Sequence, residues 1–352
     1  MSKLKRQKQK LIYKQYLNSL KINSLLPLKS VTEFCDNTYI DSLPEYKSLQ
    51  KLSSPHPIKI KFLYFWKHFN PHKNYFTRLL DYYSIRYKII NKEDSTTTLN
   101  LIIYSFFGLK HPEQINDLYP NIPTVFYTGE NRVRYPQATL NLTFDNSSLN
   151  RNVRFPYWLW RYPQDKLHML YSLKLTPKNL PTPTKFCCFV YSNPRATERI
   201  RFCQTLSSRY HSVACGGRCL NNIGGLVTDK IAFQRQYRFC IAYENNSRDG
   251  YTTEKILDAY LSNCIPIYWG SKTIADDFNP ETFINSHNFK TDAELIDYIR
   301  MVDTNPKLYQ SYLNKPVFST RWLERFKYPD IFFGKIAARL FLMGNDKMNY
   351  IK

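Results

Sequence analysis

Residues 239–271 read FCIAYENNSRDGYTTEKILDAYLSNCIPIYWGS, and the fold is decided in this stretch. Phe239 to Tyr243 is an apolar run too short for a helix and suited to a strand buried on both faces. Glu244 to Gly250 is polar and makes a loop, after which Thr252 is placed to cap a helix beginning near Thr253. Ile256, Leu257, Tyr260 and Leu261 recur at helical spacing, Asn263 ends the helix, and Ile265 to Gly270 reads as the next parallel strand. Pro266 sits near the start of that strand, where a missing N–H does least harm. The unit is β-loop-α-β. In such a unit the strand's carboxyl end and the helix N-terminus converge on one point, where unpaired backbone N–H groups favour an anion, most often phosphate. Tyr251, Glu254 and Lys255 stand at that point with a hydroxyl, a carboxylate suited to ribose hydroxyls and a cation suited to phosphate. A Glu-Lys pair at a helix start is by itself a common solvated feature, so its neighbours have to carry the reading.

Upstream, Ile58 to Phe65 reads as a strand and Tyr75 to Tyr83 as the helix behind it. Lys88 to Ile90, Leu99 to Phe106 and Pro123 to Thr128 supply further strands, and this alternation predicts a doubly wound parallel sheet. Its strand ends direct attention to Trp66 and to Gly129-Glu130-Asn131. Trp158, Trp160 and Tyr162 could stack on sugar faces, although a crossover packing its aromatics against the edge of the first unit explains them more simply. Pro181-Thr182-Pro183-Thr184 reads as a linker, and Phe186 to Val190 opens a second sheet. Ser192-Asn193-Pro194 then enters a helix carrying Arg195, Arg199 and Arg201, any of which could reach a phosphate oxygen from a strand end. His211, Cys215 and Cys219 have spacing that invites a metal reading, but no fourth ligand accompanies them. Asp292 to Val302 and Lys307 to Leu313 read as helices, and 321–342 has an aromatic-aliphatic face.

Composition bounds the rest. In 352 residues, 43% hydrophobic and 16% aromatic content is enough for two cores and excludes a disordered chain. The longest largely apolar run, Leu101 to Leu109, is far below the ~20 residues of a membrane helix, and the first residues lack an apolar signal segment. Eight scattered cysteines suggest free thiols in a reducing compartment. A net charge of +22 calls for anionic partners: nucleic acid, an anionic membrane face or a phosphorylated substrate. No nucleic-acid-binding motif accompanies the charge, which argues against a nucleic-acid module. Residues 1–30 contain seven Lys and Arg6 with no acidic residue, and Leu4, Ile12, Tyr16, Leu17 and Leu20 fall roughly on one helical side. That pattern fits a basic helix on an anionic membrane, or equally a solvated terminal helix.

With these residues in view, the stretch 239–271 strongly resembles the family 10 α-1,3-fucosyltransferases, closest to the bacterial, Helicobacter-type members. The pattern Glu-Lys-Ile-x-Asp-Ala-Tyr-x-Ser-x-x-Ile-Pro-Ile-Tyr-Trp-Gly-Ser is met from Glu254 to Ser271, and Asp277-Phe278-Asn279-Pro280, Phe283 and Asn285 continue it. Phe126 to Asn131 repeats a further family motif, and the family's Ser-Asn-Pro followed by Arg falls on Arg199. Asn246 beside Asn245 and the Thr252-Thr253 pair depart from the usual loop. The resemblance implies an α/β GT-B architecture, two doubly wound Rossmann-like domains facing across a cleft. The expected division is a basic leader over 1–54, an acceptor-side domain over 55–178, a GDP-fucose-binding domain over 179–320 and a helical segment over 321–352 packing across both. It implies inverting transfer of L-fucose from GDP-β-L-fucose to the 3-hydroxyl of GlcNAc in N-acetyllactosamine-type glycans. Glu130 would be the general base. Arg199, Tyr251 and Lys255 would hold the pyrophosphate, Glu254 the ribose, and Asn245 would help fix the donor, with no metal or other cofactor required. Expected partners are a nucleotide sugar and an oligosaccharide or lipopolysaccharide acceptor, with peripheral membrane contact, a cytoplasmic location on the inner membrane face and no nucleic acid. Two rivals remain: a GT-B transferase for another nucleotide sugar, and a basic binding module with a degenerate site.

Overall fold

The computed structural model describes residues 56–82, 85–91, 98–108, 114–131, 138–145, 152–162, 183–320 and 322. The expected leader over 1–54, Pro181 and Thr182 of the linker and all of the C-terminal segment except Trp322 lie outside these residues.

Two parallel sheets organise the chain. The first has six strands: β1 (Ile58–Leu63), β2 (Tyr87–Ile89), β3 (Leu101–Tyr104), β4 (Thr124–Tyr127), β5 (Leu140–Thr143) and β6 (Asn152–Arg154). Their order is β2-β1-β3-β4-β5-β6. Helices α1 (Tyr75–Tyr82), α2 (Gln114–Leu118) and α3 (Tyr157–Arg161) complete this unit. The apolar runs form central strands because both faces are covered. Leu101 and Ile103 join the large core with Tyr75, Phe76, Leu79 and Leu80 of α1, while Ile102 and Tyr104 pack with Ile115 of α2. A reciprocal cap fixes the start of α1: Thr77 N–H donates to Asn74 Oδ1 at 3.1 Å, and Asn74 N–H donates to Thr77 Oγ1 at 3.0 Å.

The second sheet runs β11-β10-β9-β7-β8. Its strands are β7 (Lys185–Phe189), β8 (Val213–Cys215), β9 (Tyr237–Tyr243), β10 (Ile265–Trp269) and β11 (Ile284–Asn285). Around it lie α4 (Thr197–Arg209), α5 (Lys230–Gln234), α6 (Lys255–Leu261), α7 (Asp292–Thr304) and α8 (Pro306–Leu313). Phe239 and Ile241 enter the main core, and Cys240 packs on the opposite face with Cys188, Ala259 and Cys264. The β10–β11 ladder begins only at Ile267, so on that side Pro266 lies outside the pairing. Asn263 ends α6 by adopting φ 58°, a left-handed conformation that asparagine tolerates better than most residues. The helix begins at Lys255 and not near Thr253, and its N-cap position, Glu254, makes no side-chain cap. Thr253 is diverted elsewhere, as described below.

The units meet along a packed seam. Trp158 of α3 is fully buried among Phe278, Phe318 and Trp322, with ring centroids 5.7, 5.8 and 4.8 Å away. Arg154 at the end of β6 donates to Asp277 Oδ2 at 2.7 Å and to the Gly250 carbonyl at 3.1 Å. Trp160 stacks on Tyr127 at 4.3 Å and touches Phe65, Trp66, Tyr75 and Phe76. The tryptophans of α3 thus serve packing, the simpler of the two expectations. Among the described residues no helix is long and apolar enough to cross a membrane.

Candidate active site

Because both sheets are parallel, their strand ends gather the candidate residues on one side of each sheet. At the end of β4 the chain turns through Thr128, Gly129 and Glu130. Glu130 N–H donates to Thr128 Oγ1 at 3.1 Å, which fixes the turn and leaves the carboxylate on an exposed residue. Gly129 is there because Tyr157 of α3 lies directly over it: an added Cβ would sit 2.3 Å from a Tyr157 ring carbon and 2.9 Å from the Tyr127 hydroxyl.

At the end of β9 stands Glu244, fully buried. Its Oε1 accepts from Thr253 N–H at 2.7 Å, and its Oε2 accepts from Thr253 Oγ1 at 2.8 Å and from Lys255 Nζ at 2.9 Å. Lys255 also donates to Thr253 Oγ1 at 2.6 Å. A carboxylate and an ammonium with side-chain exposures of 0% and 10% are stable only when paired and hydrogen-bonded, and this pair is both. Burial alone would lower the Lys255 pKa, but Glu244 and Glu254 raise it above the ordinary lysine value, so the cation is fixed. Gly270 makes room for the arrangement, since a Cβ there would lie 2.6 Å from Glu244 Cγ.

Arg199, third in α4, is 2% exposed. Its Nη1 donates to Asn245 Oδ1 at 2.8 Å, its Nη2 to the Asn193 carbonyl at 3.0 Å, and its guanidinium lies 4.2 Å from the Tyr191 ring centroid. Nε has no partner. Of the three arginines expected to compete here, Arg201 is instead bound to Glu198 and Asp292 on an exposed face, and Arg195 is exposed. Tyr251 is 2% exposed and packs edge-on against Phe144 of the first unit at 5.3 Å.

Glu254 stands at the N-cap of α6. Burial pushes its pKa up, and Lys255 and Lys230 more than offset that, holding it below the usual carboxylate range. Burial raises the Tyr127, Tyr157 and Tyr251 hydroxyls, and in each case both Glu130 and Glu254 add to the rise; Tyr157 is pushed up to about 12. A carboxylate from each unit therefore acts on the same three phenols. Glu130 and Glu254 thus both lie within electrostatic reach of Tyr251, while on the second unit Lys255 pairs with Glu244 and Arg199 donates to Asn245.

Glu244, the partner of Lys255, is a residue the sequence did not single out. A lone Glu after a buried strand reads as a turn residue. Its usable signal was a Lys one residue into the following helix, the partner a buried strand-end carboxylate would need. His211, by contrast, packs on Phe186 and Tyr210, and Cys215 Sγ lies 3.6 Å from Cys203 Sγ. Among the described residues no group of three or more His, Cys, Asp or Glu is arranged to hold a metal ion.

Comparison with known proteins gives the constellation its setting. Residues 180–330 match the family model described as glycosyltransferase family 10 (fucosyltransferase) C-term, and 60–161 match that of the alpha-(1,3)-fucosyltransferase FucT N-terminal domain. The chain is 32% identical over 342 residues to the alpha-(1,3)-fucosyltransferase FucT of Helicobacter pylori, covering 85% of this chain and 69% of that one. It is 26% identical over 210 residues to 4-galactosyl-N-acetylglucosaminide 3-alpha-L-fucosyltransferase 9 of Bos taurus, covering 49% of this chain and 57% of that relative. A crystal structure of an alpha1,3-fucosyltransferase with GDP-fucose superposes with a TM-score of 0.63 at 28% identity, covering 87% of this chain and 97% of the other. The fold is α/β of the GT-B type. The chain belongs to glycosyltransferase family 10, the fucosyltransferases.

Proposed function

We propose that this chain transfers L-fucose from GDP-β-L-fucose, with inversion, to the 3-hydroxyl of GlcNAc in an N-acetyllactosamine-type glycan. The observation that supports the reading is that Glu130 from the first unit and Glu254 from the second both lie in the electrostatic surroundings of Tyr127, Tyr157 and Tyr251. An inverting transfer needs a base on the acceptor side and fixed positive charge on the donor side, and these arrive from different sheets. Glu130, exposed beside Tyr157, takes the proton from the acceptor hydroxyl as the hydroxyl oxygen attacks the anomeric carbon. Lys255 gives two of its three N–H bonds to Glu244 and Thr253, and the third meets the leaving diphosphate. Arg199 keeps Nε–H uncommitted while Asn245, Asn193 and Tyr191 hold its plane. Tyr251 joins them on the pyrophosphate, and Glu254 accepts from the ribose. Lys255 stays charged through the reaction, and no cofactor enters the scheme.

The units are taken as 55–178 on the acceptor side and 179–320 on the donor side, flanked by the leader over 1–54 and the segment over 321–352. The leader holds the enzyme to the cytoplasmic face of an anionic membrane, near a lipid-linked or lipopolysaccharide acceptor. Its composition supports this, since each Lys or Arg near such a surface contributes roughly 1 kcal/mol that salt releases. Co-sedimentation with anionic vesicles should retain the full chain at low salt and lose a chain beginning at Ser53. Equal binding by both would assign the +22 charge to the folded units instead.

The transfer itself is tested by GDP release with N-acetyllactosamine and Lewis-type acceptors, alongside calorimetry with GDP, UDP and ADP. Turnover on N-acetyllactosamine and selective GDP binding are expected. Preference for UDP or ADP would overturn the donor assignment, and turnover only on glycans without a free GlcNAc 3-hydroxyl would overturn the acceptor assignment.

A further inference from the structure

Arg154 ends β6 in the first unit, in register with Thr143, the residue before Phe144. Its side chain is 8% exposed, and its Nη2 reaches into the second unit, donating to Asp277 Oδ2 at 2.7 Å and to the Gly250 carbonyl at 3.1 Å. Gly250 is also held from its own unit, where its N–H donates to Ser271 Oγ at 2.9 Å and to Thr273 Oγ1 at 3.1 Å. It has φ +78°, and an added Cβ would sit 2.6 Å from the Phe144 carbonyl oxygen, so this loop of the second unit rests directly on the first. The next residue is Tyr251, whose N–H donates to the Arg248 carbonyl at 3.0 Å and whose ring packs against Phe144 at 5.3 Å. The peptide that leads into Tyr251 is therefore gripped by a side chain of the other unit.

Stability does not account for this arginine. Its Nε and Nη1 meet no hydrogen-bond acceptor among the described residues, and a buried ion pair with unmet donors gains nothing over an apolar pair of similar size. An apolar pair, however, could not hold the Gly250 carbonyl. We propose that Arg154 is a positioning residue of the donor site: anchored by Asp277, it fixes the Gly250 carbonyl and with it the Tyr251 phenol that meets the pyrophosphate of GDP-fucose. The first unit thereby sets the geometry of a contact that the second unit makes. The proposal rests on the reading that Tyr251 contacts the donor.

GDP-fucose binding, steady-state kinetics and melting temperatures of the full chain and its variants test it. Replacing Arg154 alone strands the buried Asp277 carboxylate, so the main variant is Arg154→Met combined with Asp277→Asn, which removes both charges. It should melt close to the wild type and bind GDP-fucose roughly tenfold more weakly, the cost of losing one charge-assisted contact, with the acceptor KM unchanged. Asp277→Asn alone leaves Arg154 on the Gly250 carbonyl and should keep most of the affinity. Tyr251→Phe should weaken GDP-fucose binding, and adding the Arg154→Met and Asp277→Asn changes to it should cost little further, because both act through one contact. Wild-type affinity in the Arg154→Met, Asp277→Asn variant, an equal loss in Asp277→Asn alone, or full additivity with Tyr251→Phe would each overturn the proposal. If Tyr251→Phe itself binds GDP-fucose like the wild type, the donor reading at Tyr251 fails first and the proposal falls with it.

Discussion

The two sheets are built on one plan but hold their polar groups in opposite ways. Around the end of β4 in the first unit the buried groups are mainly rings and phenols, Tyr127, Trp160, Tyr75 and Phe155, and the one candidate carboxylate, Glu130, is exposed; the buried charge of this unit, Arg154 at the end of β6, turns to Asp277 of the second. Around the second unit's strand ends charges are matched: Glu244 with Lys255 and Arg199 with Asn245 in the interior, and Lys230, partly exposed, with Asp258. The contrast follows from the chemistry. A base must change its protonation state during each turnover, and a buried, salt-bridged carboxylate would resist that. A diphosphate site must instead present charge that does not move, and fixed pairs in a dry wall supply it.

The largest expected effect breaks the comparison at its acceptor side. On the reading that Glu130 is the base, Glu130→Gln, which keeps the side chain's size, should lower kcat by roughly 10²-fold or more. If turnover stays within a few-fold of wild type, another carboxylate is the base. On the donor side, Lys255→Ala should weaken GDP binding by about 1.5–3 kcal/mol, and Arg199→Ala likewise. Lys255→Ala should also lower the melting temperature, since it strands the buried Glu244 carboxylate without its counterion. Unchanged GDP binding in both variants would remove the phosphate assignment. A gentler change sharpens the role of Glu244: Gly270→Ala pushes a Cβ against its Cγ and should cost about 1–3 kcal/mol of stability together with some GDP affinity. Full stability and full affinity in that variant would mean Glu244 can shift without consequence. Smallest is Arg201→Ala, which loses only exposed pairs and should change stability by about 1 kcal/mol or less, leaving GDP binding intact. A clear loss of GDP affinity would place Arg201 in the site from which its pairing with Asp292 now separates it.

Legibility followed the range of the forces involved. Strands β3, β4, β7, β9 and β10 could be read because continuous apolar runs are buried on both faces. Strands β5 and β6 could not: Leu140-Asn-Leu-Thr and Asn152-Val-Arg are three or four residues long and at least half polar, and they are strands because β4 offers β5 an edge and β5 offers one in turn to β6. Glu254, Lys255 and Tyr251 were legible because one loop brings them to one helix start. Glu244 was not, since its pairing with Lys255 depends on how that loop closes. Thr252 looked like the better cap, but Thr253 turned to Glu244 and the helix began later. Lys230 with Asp258 and Tyr162 with Asp258 are 28 and 96 residues apart, joined only by tertiary folding.

The most direct test of the division between the units is the GDP affinity of Glu130→Gln, measured by calorimetry beside the wild type. If donor binding belongs to the second unit and proton transfer to the first, the two dissociation constants should agree within about twofold while turnover is lost, since a shift of 1.4 kcal/mol would already be tenfold. A tenfold weaker GDP complex in Glu130→Gln would contradict that division and place Glu130 within the donor site.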